Sequence, residues 1–318
     1  MKSSDNRGEL EADRLDDGHS VASSASQVTF DMTTLPHKSR SRRILDRIDL
    51  PVQAGRIAVI AFVFWFWQSG RLWGGINVWG IQIFPEINPI FTAQPGEVWD
   101  FFTGTFRERL FWTDVGVTLQ EAAMGFAFGS SAGFLVGVLF GRFRRLARVY
   151  EPFLVFANAV PKVALAPILI LWYGVDIGSK VALATIIVFF IVQIPVQAAT
   201  AGVDSDLDVV ATTMGASQLQ RFSMVVVPGI LGPLFGALRL AAVYSILAVV
   251  FGEFIASKRG LGQRLVAASN QFNMGDAFAL MIVLSVLALL FNTVIGLLER
   301  RLLRWQSDAQ TFANVIAV

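Results

Sequence analysis

The stretch VVATTMGASQLQRFSMVVVP, Val209 to Pro228, lies between two long apolar runs and is itself only moderately hydrophobic. It holds a lone glycine, Gly215, followed by Ala216, Ser217 and Gln220. Upstream, Ser205 or Asp206 is placed to N-cap a first helix running to Met214. Gly215 suits the left-handed position that ends a helix. Ser217 and Gln220 form the S-x-x-Q pattern of a capping box, which opens a second helix. That helix carries Leu219, Phe222, Val225 and Val226 on one face, and Pro228 is expected to stop it. The local rules therefore predict helix, glycine turn, helix, as a structured loop between two membrane spans.

The surroundings of this loop are apolar. Hydrophobic residues make up 54% of the 318 residues, charged residues only 16%, and mean hydropathy is +0.57. Soluble domains carry about 25% charge, so the composition, with 27 Phe and 8 Trp, points to an integral membrane protein. There is no cysteine, which excludes disulfides, thiolate metal sites and cysteine nucleophiles. Both histidines, His19 and His37, lie in the N-terminal tail, so the apolar region holds no histidine-based catalytic or zinc site.

A bilayer core of ~30 Å needs about 20 apolar residues per helix. The candidate spans are Ala54–Trp73, Val115–Phe140, Val149–Tyr173, Val181–Ala201, Ile230–Ala256 and Ala277–Leu298. The expected fold class is an all-α integral membrane protein with six transmembrane helices. Residues 1–50 read as a disordered tail, acidic and then basic. Residues 51–111 supply the first span and an external loop, where QPGEVWDFFTGTFRERLFW suggests a surface amphipathic helix. Residues 112–305 form the main transmembrane domain, with the loop at about 202–229, and 306–318 form a C-terminal tail. Trp65, Trp67, Trp73 and Trp79 suit an aromatic belt. Basic residues cluster at 38–56, 142–148, Arg221 and 300–304, on one side of the alternating spans. Arg71, Arg107, Arg109, Lys180, Lys258, Arg259 and Arg264 fall on the other, so both termini are placed in the cytoplasm.

Several residues within the spans stand out. Gly125, Gly129, Gly133, Gly137 and Gly141 recur every four residues and make one smooth helix face suited to close helix packing. Pro152, Pro161 and Pro167 should kink the third span, and its freed carbonyls must face protein or water. Asn158 and Lys162, one turn apart on that span, are candidate pathway residues, with Arg239 and Glu253 of the fifth span. Arg239 and Glu253 lie too far apart to pair, so each needs its own partner. Two motifs are excluded. GVDIGSK at 174–180 lacks the four-residue spacing and the Gly-Lys-Ser/Thr order of a phosphate-binding loop. LQEAAMG at 119–125 contains Glu-Ala-Ala but opens a membrane span.

The spacing Gly-x9-[Ile/Val]-x-[Leu/Val]-Pro is met by Gly215, Val225, Val227 and Pro228. It resembles the EAA loop of permease subunits of ABC importers. The family's Glu-Ala-Ala falls on Val209, Val210 and Ala211, with Asp208 one place before. VPKVALAPILILWYGVDIGSK, GALRLAAVYSILAVVFGEFIASKRGLGQRL and LLERRLLRW are similar to the branch serving nitrate, sulfonate and taurine. The resemblance implies a type I importer permease fold in a prokaryotic cell membrane, carrying a small organic or inorganic anion. It implies a second permease copy, cytoplasmic ABC ATPase subunits that bind ATP and magnesium, and an external substrate-binding protein. Asp208, Val209, Ala211, Gly215, Ala216, Ser217, Arg221 and Pro228 would form the ATPase-coupling loop. The chain itself is expected to bind no cofactor, metal or nucleic acid and to catalyse no reaction. An ion-coupled secondary transporter is the alternative.

Overall fold

The computed structural model describes residues 50–68, 76–78, 81–84 and 91–303. The expected tails, at 1–49 and 304–318, and Trp73 and Trp79 of the belt fall outside the described residues. The first expected span is helix α1, Leu50–Gln68, of 19 residues. Where only an external loop and a helix were expected, a short antiparallel pair precedes the helix, β1 (Ile76–Val78) with β2 (Ile81–Phe84). Helix α2 (Pro95–Gly104) is the surface helix; Gln94 and Glu97 form its capping box, and Pro95 sits in its first turn.

Among the described residues, four helical segments are long and apolar enough to cross a membrane. They are Arg109–Arg142 (α3), Ile177–Ala201 (α6), Gln218–Ile255 and Met274–Leu302. A bent pair could supply a fifth span. That pair corrects the expectation of one kinked third span. Helix α4 (Arg144–Ala159) and α5 (Ala166–Tyr173) meet through a 3-10 turn, Lys162–Leu165, at 81°. Pro161 lacks the N–H that a continuing helix needs, and Pro167 restarts the chain within the first turn of α5.

The glycine face of α3 lies against α6. A Cβ on Gly133 would sit 2.6 Å from the Phe189 carbonyl oxygen, and one on Gly129 2.7 Å from that of Thr185. At Gly125 and Gly141 the added atom would lie 2.4 Å from Ala184 Cβ and 2.3 Å from Thr200 Cβ. At Gly137 it would lie 2.9 Å from the Gln193 carbonyl oxygen. Only backbone without side chains permits this approach, and in lipid such packing is a main source of helix association.

The loop helix α7 (Ser205–Thr213) follows α6. Its N-cap is Asp204, one residue before the expected Ser205 or Asp206, and the Asp204 carboxylate accepts from the Asp206 N–H at 2.9 Å. A second correction concerns Pro228. The next helix does not stop there: α8 (Gln218–Arg221) runs through a π-helical turn, Phe222–Val226, into α9 (Val227–Ile255). Pro228 sits in the first turn of α9, where the widened π turn already disrupts the regular ladder and a missing N–H is tolerated. The second helix of the loop and the apolar segment after it are thus one continuous helical piece. Helix α10 (Leu261–Asn270) and α11 (Met274–Leu302) complete the chain.

The largest buried cluster joins α2, α3, α6, α9, α10 and α11 around Phe111, Ala122, Ala184, Val249, Leu261 and Leu280. Phe101 of α2 meets Phe111 edge to face at 6.0 Å, and Trp67 donates to the Ala93 carbonyl at 2.9 Å. Substituting Gly133→Leu should destabilise the purified chain by about 1–3 kcal/mol or more through overpacking against fixed backbone. Gly236→Ala, with nothing within 4 Å of the added atom, should leave thermal melting unchanged or slightly raised.

Candidate functional site

The loop is built as a rigid turn. Gly215 has φ +79°, and its N–H donates to the Thr212 carbonyl at 3.0 Å while Ala216 N–H donates to Ala211 at 3.0 Å. This is the Schellman arrangement, in which two carbonyls left open at a helix end are satisfied. It gives Ala211, Gly215 and Ala216 a shared local cause. Ser217 accepts from Gln220 N–H at 3.3 Å and its own N–H donates to the Gln220 side chain at 2.8 Å. Arg221 ties the two short helices together, reaching Asp208 at 3.3 Å and Thr212 Oγ1 at 2.9 Å. Asp208, one place before the family's glutamate position, therefore has an internal partner. The turn exposes the apolar side chains Leu207, Val209, Val210, Met214, Leu219 and Met224, interspersed with Asp206, Ser217, Gln218 and Gln220.

The candidate pathway residues separate into three places. Lys162 Nζ donates to the Asn158 carbonyl at 2.6 Å and to its side-chain oxygen at 2.9 Å, so it caps a carbonyl opened by the break at Pro161. The same ammonium lies 4.9 Å from the Phe190 ring centroid. Asn158 and Lys162 border a cavity of ≈ 390 Å³ whose other walls include Phe190, Ile191, Tyr244 and Phe251. Arg239 lies elsewhere: it reaches Asn292 and Glu299 of α11, each at 3.4 Å. Glu253, the fourth candidate pathway residue, is 1% exposed.

Glu253 belongs to a buried polar network that sequence reading missed. Thr118 donates to Glu253 at 2.7 Å and accepts from the Leu261 N–H at 2.9 Å. Gly262 N–H donates to the other Glu253 oxygen at 2.5 Å. Asp114, a turn before Thr118, accepts from Arg264 at 2.5 Å and from the Gly260 N–H at 3.4 Å. Glu121 and Lys180 are each 1% exposed, and Lys180 lies in the field of Glu121, Glu253 and Asp176. Lys180 also donates to the carbonyls of Val175 and Asp176. It is therefore no loop cation, and the external charge tally loses a member. Gly260, at φ +111°, and Gly262 leave no room for a Cβ beside the Glu253 carboxyl. The signal available was spacing: Asp114, Thr118 and Glu121 fall on one helix face. The network ties α3, α6, α9 and α10 at one end of the bundle. Thr118→Val orphans the Leu261 N–H and one carboxylate oxygen, so melting should fall by about 3–8 °C. Thr113→Val, which removes only an exposed hydroxyl bonded to the Arg109 carbonyl, should leave it unchanged.

Comparison with known proteins matches residues 125–307 to the family described as "Binding-protein-dependent transport system inner membrane component". The chain is 29% identical over 282 residues to the riboflavin transport system permease protein RibX of Chloroflexus aurantiacus, covering 89% of this chain and 100% of that one. It is 31% identical over 192 residues to the putative aliphatic sulfonates transport permease protein SsuC of Bacillus subtilis, covering 60% and 70%. With the taurine transport system permease protein TauC of Escherichia coli it shares 26% identity, covering 86% and 98%. Among solved structures, an inward-facing MetNI methionine ABC transporter has a TM-score of 0.53 at 21% identity, covering 60% of this chain and 95% of that chain. That likeness shows the fold. Matched over more than half its length and built of apolar helices, the chain belongs to the binding-protein-dependent transport system inner membrane components, as a multi-pass ABC permease subunit that leaves ATP hydrolysis to a separate subunit.

Proposed function

We propose that this permease pairs with a second copy of itself and carries a small anion inward. Each copy has six spans, with α1 as the first, the bent pair α4–α5 as the third, and both termini in the cytoplasm. The loop from Asp204 to Pro228 docks on a cytoplasmic ATPase that binds ATP and magnesium, and an external binding protein delivers the substrate. The observation that carries this reading is the exposed apolar surface of the turn around Gly215. A turn held by a Schellman motif, a capping box and the Arg221 bridge keeps its shape under load. Leu219, at 77% exposed, and Met214, at 83%, are far more open than a loop without a partner needs. Because α8, the π turn and α9 are continuous, a push on the turn is transmitted directly into a membrane span.

Substrate class rests on Lys162. The cavity beside it is mostly apolar, with Phe190, Tyr244 and Phe251 in its walls and this ammonium as its only charged group. Such a site suits a compact anion with an apolar body, as sulfonates are. The relative RibX is named for riboflavin, a heterocycle, and the walls would also accept a flat ring.

A tagged chain should co-purify with an ATPase of separate sequence, and Leu219→Asp with Met214→Asp should reduce that recovery by about tenfold through the loss of two buried anchors. Gly215→Trp forces a bulky residue to φ +79° and should abolish ATP-dependent uptake while leaving membrane insertion intact. Normal uptake by that variant would sink the coupling role. For substrate, Lys162→Gln should raise the KM for an anion by about tenfold, whereas an equal rise for a neutral analogue would remove the anion assignment.

A further inference from the structure

We infer that the end of α3 and the start of α4 form a binding site for the phosphate of an anionic phospholipid, set against the coupling loop. A cavity of ≈ 550 Å³ opens there, lined by Arg142, Arg144, Arg145 and Arg148 together with Asp204 and Asp208. Both acids already have partners: Asp204 caps α7 and Asp208 holds Arg221. Arg142 donates to Gln218 at 3.4 Å. The side chains of Arg144, Arg145 and Arg148 make no hydrogen bond or ion pair among the described residues, and all three are exposed. Like charges held this closely repel one another, and an anion between them relieves that repulsion. Guanidinium groups also present paired donors that match phosphate oxygens.

The position selects a lipid over a free anion. Beyond Arg148 the helix exposes Val149, Phe153 and Phe156, at 62%, 68% and 74%, with Glu151 as the one charged residue among them. The arginines therefore sit where apolar surface gives way to charged loop, the level at which headgroup phosphates lie. Basic pockets between helices at a cytoplasmic surface are recognised sites for anionic headgroups. The cavity wall also includes Thr200 at the end of α6, Val203 just beyond it and Val226 of the π turn. A headgroup there would touch the bundle and the loop at once, so lipid charge would tune the loop. That consequence rests on the coupling reading proposed above, but the binding itself does not.

The test uses the full chain purified without partners and equilibrated with phosphatidylcholine vesicles, plain or mixed with phosphatidylglycerol. Native mass spectrometry reads retained phosphatidylglycerol, and melting reads stabilisation by it. The combined variant Arg144→Gln, Arg145→Gln, Arg148→Gln should bind phosphatidylglycerol at least ~10-fold more weakly and lose the stabilisation. Arg300→Gln with Arg301→Gln, at the end of α11, should change neither. Should the triple variant fail to insert, Arg145→Gln and Arg148→Gln singly should shift binding in the same direction. Unchanged retention in the arginine variants, or equal loss in the α11 control, overturns the site. Displacement of the lipid by inorganic phosphate at matched concentration overturns the lipid assignment in favour of a free anion. Full lipid retention with lost ATPase recovery overturns it in favour of a protein partner. If the wild-type chain recovers no ATPase yet shows arginine-dependent lipid retention, the coupling reading fails and the lipid site stands.

Discussion

The approach of α3 to α6 is the constraint on which the rest of the bundle depends. Where a glycine stands, backbone oxygen of one helix lies closer to the other helix than any Cβ would allow. In water, burial of apolar side chains would drive two such helices together. In lipid that drive is absent, and close packing of small residues takes its place. The register follows from the same fact, because sliding α6 by one residue would bring side chains of α3 against its backbone. Once that pair is set, α9 lies across α6, with Ala237 and Ala241 against Val192 and Val196.

The two ends of this frame are finished in opposite ways. At the end holding Glu253, polar groups are turned inward and tied to one another. Buried carboxylates need donors, and here the Thr118 hydroxyl and the Gly262 N–H serve Glu253 while Arg264 and the Gly260 N–H serve Asp114. The result joins four helices and orders the start of α10. At the other end, polar side chains serve to shape the loop, and apolar residues are left on its outside. An inward-facing polar clasp stiffens one end, while an outward-facing apolar turn leaves the other ready for a partner. That asymmetry supports the docking of an ATPase on the turn proposed above.

Much of the loop was legible from its residues. Gly215 adopts positive φ and Ser217 with Gln220 closes the capping box, because both motifs are satisfied by atoms within a few residues of each other. The glycine spacing in α3 likewise pointed to one packed face. The errors have a common cause. Pro228 was expected to end a helix, but a proline in a first turn removes a donor that nothing there uses, and the preceding π turn was invisible in the residue pattern. The third span was expected to kink and in fact breaks, since Pro161 ends one piece and Pro167 opens the next, with a 3-10 turn between them.

What the sequence by itself determined is what depends on composition and short spacing: apolar helices, the cap and turn of the loop, and the absence of any phosphate-binding loop between 174 and 180. What only the tertiary structure decided is the partnership of charges distant along the chain. Lys180 counted as a loop cation until the fold buried it beside Glu121 and Glu253. Thr118 and Glu253 are 135 residues apart, and no local rule joins them. The physical reason is that burial and electrostatic pairing are properties of neighbours in space, and the neighbours here are chosen by how closely α3 and α6 can approach.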